Sequence, residues 1–302
     1  MRRPDGPAAG RPMIVVALIL VAAVWPSGRL AAQSEGSILT ALPGSTRAAA
    51  LGGAGVALVG DAGAMFANPA GIATIHHLAL EGAYEPYLAG TALSAAALAL
   101  RVGRWTWGFG AEALDGGKAT GASFHPYEAL AAASLVYRRG FIALGVTGKY
   151  DRQQVAPQVS EAWAGDAGAA IAVFDIMALG VSVQNLGGDR GDGALLPRRT
   201  RAGLTLNYTD PQGTFRLLTT LEGQWVRDRS AMLVQGVEAG VVTGGVGLVG
   251  RAGYATRPAV TDASRFTFGA GVVLGRFAVD YAFHPYTAVS AGTHRVGLRW
   301  TP

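Results

Sequence analysis

The chain has no cysteine. That excludes disulfides, thiol catalysis, a cysteine-based metal site and lipoprotein attachment through a thiol. Charge is scarce as well: Asp, Glu, Lys and Arg make up 15% of 302 residues, where about a quarter is usual for a soluble globular protein. Long apolar runs are missing too. No stretch reaches the 18 residues that a membrane-spanning helix needs. A chain that is half hydrophobic and rich in glycine (44 residues) therefore has to place its apolar surface some other way.

The start reads as an export signal. Arg2, Arg3 and Arg11 precede an uncharged apolar core at 13–25, and Ala31-Ala32 offers small residues for cleavage after Ala32. Residues 1–32 hold four Arg and one Asp, so 25 basic residues less 4 leaves 21, and 20 acidic less 1 leaves 19. The net charge falls from +5 to +2. The basic balance belongs largely to the discarded peptide and gives no reason to expect a nucleic-acid partner.

From residue 76 onward the sequence breaks into segments of about ten residues with alternating character, the signature of a membrane barrel. They fall at 77–84, 90–101, 104–114, 127–138, 141–151, 163–174, 177–185, 198–208, 214–226, 230–242, 246–254, 265–274, 276–284 and 293–300. Fourteen is an even number, as bacterial single-chain barrels require. In the third segment Trp105, Trp107 and Phe109 alternate with Thr106, Gly108 and Gly110. The Ala-rich second segment is the least patterned and could be a buried helix. A turn signal at Tyr84, Pro86-Tyr87 and Gly90 favours a strand there.

Period two puts one face of each strand in lipid and the other in the lumen. The charges sort onto one face: Glu81, Glu112, Lys149, Asp166, Arg201, Arg216, Glu222, Glu238, Arg251, Asp280, Arg295 and Arg299. An Arg at the lipid midplane costs roughly 2–4 kcal/mol, so these are expected to be lumen charges, paired by opposite sign. Connections alternate in length. Those at 102–103, 139–140, 175–176, 209–213, 243–245 and 275 are short, and those at 115–126, 152–162, 186–197 and 255–264 are long. Barrels of this kind have short periplasmic turns and long external loops, which puts both termini on the periplasmic side.

Residues 47–72 are too apolar for an exposed tail, and their Gly and Pro suit neither a long helix nor a central strand. Within them stand Gly52-Gly53, Asp61 and Asn68-Pro69-Ala70-Gly71, where glycine permits tight bends and Asn-Pro favours a turn. The ordered set Arg47, 51–54 (LGGA), 56–58 (VAL), Asp61-Ala62 and Asn68-Pro69-Ala70-Gly71 resembles the amino-terminal motif of the PorV/PorQ family of outer-membrane proteins. The Asn-Pro-Ala-Gly tetrapeptide is also similar to one in FadL-type long-chain fatty-acid transporters. Further stretches resemble PorV/PorQ signatures in the family's order: 181–188 with Leu196-Pro197, 251–254, 279–282 and 293–298.

The resemblance implies an all-β, 14-stranded transmembrane antiparallel barrel (residues 76–302) with an N-terminal hatch (33–75) inside the lumen. It implies a place in the bacterial outer membrane and a docking role in a secretion apparatus such as type IX. The alternative is a FadL-like transporter of a hydrophobic ligand. The alternating Val296, Leu298 and Trp300 resemble the carboxy-terminal signal read by the barrel-insertion machinery. Partners are then outer-membrane lipid, that machinery, and secretion-system proteins or a hydrophobic ligand.

No catalytic role is expected, since no GxxxxGK[ST], HExxH or Gly-x-Ser-x-Gly motif occurs, and neither a cofactor nor a metal is expected. His76-His77 would point to opposite faces of a strand. His125 and His284 lie in two Phe-His-Pro-Tyr repeats beside external loops, where a shared site is conceivable and coincidence is the simpler account.

Overall fold

The computed structural model describes residues 37–87, 90–117, 125–155, 158–174, 176–190, 195–257, 263–286 and 291–302. The proposed export signal lies outside them. Fourteen strands close into one antiparallel barrel, each hydrogen-bonded to its sequence neighbours and the first to the last. They are β1 (Leu78–Pro86), β2 (Ala92–Val102), β3 (Trp105–Asp115), β4 (Tyr127–Arg139) and β5 (Ile142–Val155). Next come β6 (Gln158–Val173), β7 (Met177–Gly187), β8 (Arg199–Thr209), β9 (Phe215–Val226) and β10 (Met232–Thr243). The wall ends with β11 (Val246–Ala255), β12 (Phe266–Leu274), β13 (Phe277–Tyr286) and β14 (Ala291–Trp300). No described helix is long and apolar enough to cross a membrane.

The alternation read from the sequence is the alternation of the wall. Trp105, Trp107 and Phe109 lie exposed on the outside, while Thr106 and Glu112 of the same strand are buried within. The Ala-rich second segment is a strand, paired with β1 from Leu78↔Leu100 to Pro86↔Ala92. Tight hairpins at one end turn on glycines with positive φ, among them Gly103 (63°) and Gly140 (60°), the geometry that two-residue turns demand.

One boundary differs from expectation. Residues 152–162 read as a long loop, but β5 and β6 continue through them, pairing Arg152↔Glu161 and Val155↔Gln158. An Arg152–Glu161 contact of 3.2 Å spans that extension. β4 accompanies β5 as far as Tyr127↔Gln154, whereas β6 runs past its last pair with β7, Ala164↔Gly187, and polar side chains on both faces hid the extension from a pattern tuned to one greasy face.

The segment before β1 fills the barrel. It holds one short helix, α1 (Thr46–Ala50), and two 3₁₀ turns at Ala62–Phe66 and Pro69–Thr74. Leu51, Ala54, Met65, Ala70 and Ile72 are fully enclosed. The hatch touches opposite sides of the wall with different parts: α1 packs against β11–β14, and the 3₁₀ turns pack against β1–β6.

Candidate functional site

An irregular chain inside a barrel must find partners for backbone groups that no helix or sheet satisfies. Wall side chains supply them. Glu222 accepts from the amides of Gly55 (2.7 Å) and Val56 (2.8 Å), and Glu81 accepts from Gly63 (2.8 Å). Glu128 accepts from Ile38 at 3.0 Å. In the other direction Arg295 donates to the carbonyls of Pro43 and Gly44, each at 2.6 Å, and Arg201 donates to Gly53 at 3.0 Å. Much of the lumen charge thus serves as a frame for hatch backbone.

Six of the charged groups close a ring. Arg47 on α1 holds Asp61 of the hatch (2.8 Å) and Glu238 of β10 (2.8 Å). Glu238 pairs with Arg251 of β11 at 2.7 Å, and Arg251 with Asp280 of β13 at 2.6 Å. Asp280 pairs with Arg299 of β14, and Arg299 returns to Asp61. Arg251 and Asp280 sit two strands apart. They meet because β12 presents Gly271 between them, where a Cβ would lie 2.7 Å from the Asp280 carboxylate. Three guanidinium and three carboxylate groups balance, and two of the six belong to the hatch. Burial alone would raise the Asp61 pKa, but Arg299 and Arg47 outweigh it and hold the group below the usual carboxylate range.

The remaining lumen residues divide. Arg201 pairs with Glu222 (2.9 Å), and Lys149 with Asp166 (2.6 Å). Arg216 reaches Glu238 only at 3.8 Å, with its side chain 45% exposed. Among the described residues, Glu81 and Glu112 have no ion-pair partner, so opposite-sign pairing does not extend to them. Arg190 escaped the sequence reading because it lies in an apparent external loop. It is buried and binds Asp151, with Glu128 beside it at 3.5 Å.

The hatch motif is a set of turn and contact residues. Gly52 and Gly53 hold φ of 74° and 89°, which lets the chain reverse after α1. The Asn68 amide donates to Val56 O (2.7 Å) and, across to β6, to Ala169 O (3.0 Å). Its Oδ1 accepts from the amide of Ala70, capping the second 3₁₀ turn, with Pro69 in the first position. Gly71 passes so close to Ala64 that a Cβ would stand 2.8 Å from that side chain.

Opposite the ionic ring lies an apolar seam. Leu39, Met65, Ile72 and Ile75 of the hatch pack on Leu93, Leu114, Leu130 and Val136 of β2–β4, with Leu42 and Phe66 alongside. Among the described residues, cavities of about 30 and 60 Å³ lie between hatch and wall. They have room for a few waters and are too small for a drug-sized molecule.

His125 bonds Asp115 (2.7 Å), and His284 lies 3.3 Å from the Ser264 carbonyl, so each has its own partner. No trio of metal-ligating side chains gathers among the described residues.

The molecule is thus a closed 14-stranded barrel with its lumen filled by its own amino-terminal segment. Three solved structures share that fold over nearly their whole length. The toluene transporter TodX of Pseudomonas putida matches with a TM-score of 0.60 at 11% identity, covering 86% of this chain and 99% of that one. The toluene transporter TbuX of Ralstonia pickettii gives 0.56 at 12% identity, covering 85% and 97%. A FadL homologue of Pseudomonas aeruginosa gives 0.56 at 11% identity, covering 85% and 98%. At such identities the likeness is one of fold. No family model matches the sequence, and no curated protein matches it.

Proposed function

We propose that the chain is a non-enzymatic outer-membrane transporter of hydrophobic small molecules, exported by its first 32 residues and oriented with the short turns in the periplasm. The observation that carries this reading is the apolar seam. A greasy contact between hatch and β2–β4, with Leu39, Met65 and Ile72 packed on Leu93, Leu114 and Leu130, is the surface an apolar molecule would follow past the hatch. Met65 and Phe66 stand in that route, and methionine adapts its shape readily. The ring of ion pairs anchors the hatch on the opposite side, so the seam is the side that gives way. The fold neighbours named as toluene transporters support the same reading.

Two engineered tethers test it, made simple by the absence of native cysteine. Pro69→Cys with Gly145→Cys joins the hatch to β5 on the seam side, where the Cβ atoms would lie 2.8 Å apart. Thr46→Cys with Gly297→Cys joins it to β14 on the ionic side, at 2.9 Å. Both spans are shorter than the usual Cβ–Cβ separation of about 3.5–4.5 Å, so the hatch must draw back from the wall by over half an ångström as each bond forms. Oxidising the first pair is expected to stop toluene uptake into vesicles, with recovery on reduction, while the second leaves uptake intact. Unchanged uptake with the seam tether closed would sink the reading.

The docking role in secretion that the PorV/PorQ resemblance implies has only the sequence signatures behind it. Loss of surface display of exported proteins on deleting the gene would favour it over transport.

A further inference from the structure

The short-turn end of the barrel carries a group of basic side chains that the lumen network does not use. His76, His77, Arg101, Arg104, Arg138 and Arg139 line an open cavity of about 550 Å³ where the hatch leaves the barrel to become β1. All six are basic types, and no carboxylate lines the cavity.

Two of the arginines are held in place. Arg101 Nε donates to Gly103 O (3.0 Å), and Arg138 Nε donates to Gly140 O (3.1 Å). Each then donates through Nη1 to the same atom, the carbonyl oxygen of Ala73 in the last 3₁₀ turn, at 3.3 and 3.4 Å. Two like charges are thereby pinned side by side on one neutral acceptor. Arg104 and Arg139 are exposed, and among the described residues their side chains have no hydrogen-bond or ion-pair partner. Four guanidinium groups at one mouth repel one another, and an anion with several oxygens relieves that repulsion through forked hydrogen bonds.

The surroundings point to the anion's source. Arg139 ends β4 on the outward side, two residues beyond Tyr137, whose ring tilts against Trp105 with centroids 4.9 Å apart. Phe141 follows, 58% exposed. Trp and Tyr mark the level of lipid headgroups on membrane barrels. The cavity therefore opens from the barrel's rim onto the headgroup layer.

We propose that this basic cavity binds the phosphate headgroup of an anionic phospholipid in the periplasmic leaflet. The guanidinium groups would grip phosphate oxygens, and the acyl chains would run down the aromatic outer face of β3 and β4. The lipid would sit against the turn that ends the hatch, because Arg101 and Arg138 touch both. This inference rests on reading the chain as a membrane barrel with its short turns in the periplasm. It does not depend on what passes through the lumen.

The test uses the full chain purified in detergent and titrated with phosphatidylglycerol, retained lipid being counted by native mass spectrometry. The variant is Arg104→Gln with Arg139→Gln, which leaves the two pinned arginines and the hatch contacts in place. Heat-modifiable migration on gels confirms that it folds. Two basic residues beside an anionic headgroup are worth roughly a thirtyfold change in affinity. Phosphatidylglycerol retention is expected to weaken by about that factor in the variant, and zwitterionic phosphatidylcholine to bind weakly to both forms. Equal retention of phosphatidylglycerol by native chain and variant overturns the proposal. Complete displacement of the lipid by inorganic phosphate at matched concentration also overturns it, in favour of a free-anion site. Toluene uptake is scored in parallel, so a failure of transport with normal lipid retention counts against the transport reading alone.

Discussion

Asp61 shows how much rests on single groups in this lumen. Its carboxylate joins Arg47 of the hatch to Arg299 of the wall, and replacing it with Asn leaves the buried Arg47 and the partly buried Arg299 each short of a partner. Breaking a buried pair in this way typically costs about 3–5 kcal/mol. Asp61→Asn is expected to lower the unfolding free energy by that order in urea titrations of the refolded barrel. The pH dependence has a definite sign. A carboxyl with a depressed folded-state pKa contributes stability that is complete above its unfolded value, about 3.9. That stability is lost as pH falls toward the folded value. The gap between native chain and variant should therefore hold constant from pH 8 to 5 and close only in strong acid. The sequence marked Glu238, Arg251, Asp280 and Arg299 as inward charges, because period two reveals the face, and Asp61 as part of the hatch motif. It could not reveal the ring, whose Arg47 and Glu238 members stand 191 positions apart.

At the scale of elements, the glycines divide by face. Inward Gly145, Gly168, Gly180, Gly203, Gly253 and Gly269 would each press a Cβ into hatch atoms, whereas outward Gly82, Gly148 and Gly250 face open space. The hatch lies almost backbone to backbone on the wall. Gly180→Ala would push against the carbonyl of Val56 and is expected to cost at least about 1–3 kcal/mol. Gly250→Ala, a neighbourless position, should stay within about 0.5 kcal/mol, and thermal unfolding distinguishes the two. Strand number and faces were legible because each strand repeats one simple pattern. The shape of the hatch was not. Its α1 helix has only five residues, too few to form without support. The wall decides its conformation through Glu222, Arg295, Arg201 and the missing side chains opposite. The buried Arg190 was hidden because it lies in the connection after β7, and its partners Asp151 and Glu128 come from β5 and β4.

As a whole the molecule has a greasy exterior and an interior in which the ionic ring on β10–β14 and the Arg190 cluster on β4 and β5 flank an apolar contact on β2–β4. Val237 lies at the middle of β10 on the outer face, next to the inward Glu238. Val237→Arg would set a charge at mid-membrane and is expected to destabilise the barrel by about 2–4 kcal/mol, read from folding titrations in lipid vesicles. The join between the first and last strands carries a different consequence. It consists of five residue pairs, from Leu80↔Trp300 to Tyr84↔Val296, and it can form only once the final strand has been made. The stopper is continuous with the first strand, and its backbone is gripped by strands from across the circumference. An assembly that closes this join last would curl the wall around its own leading segment, much as a cask is hooped around contents already inside.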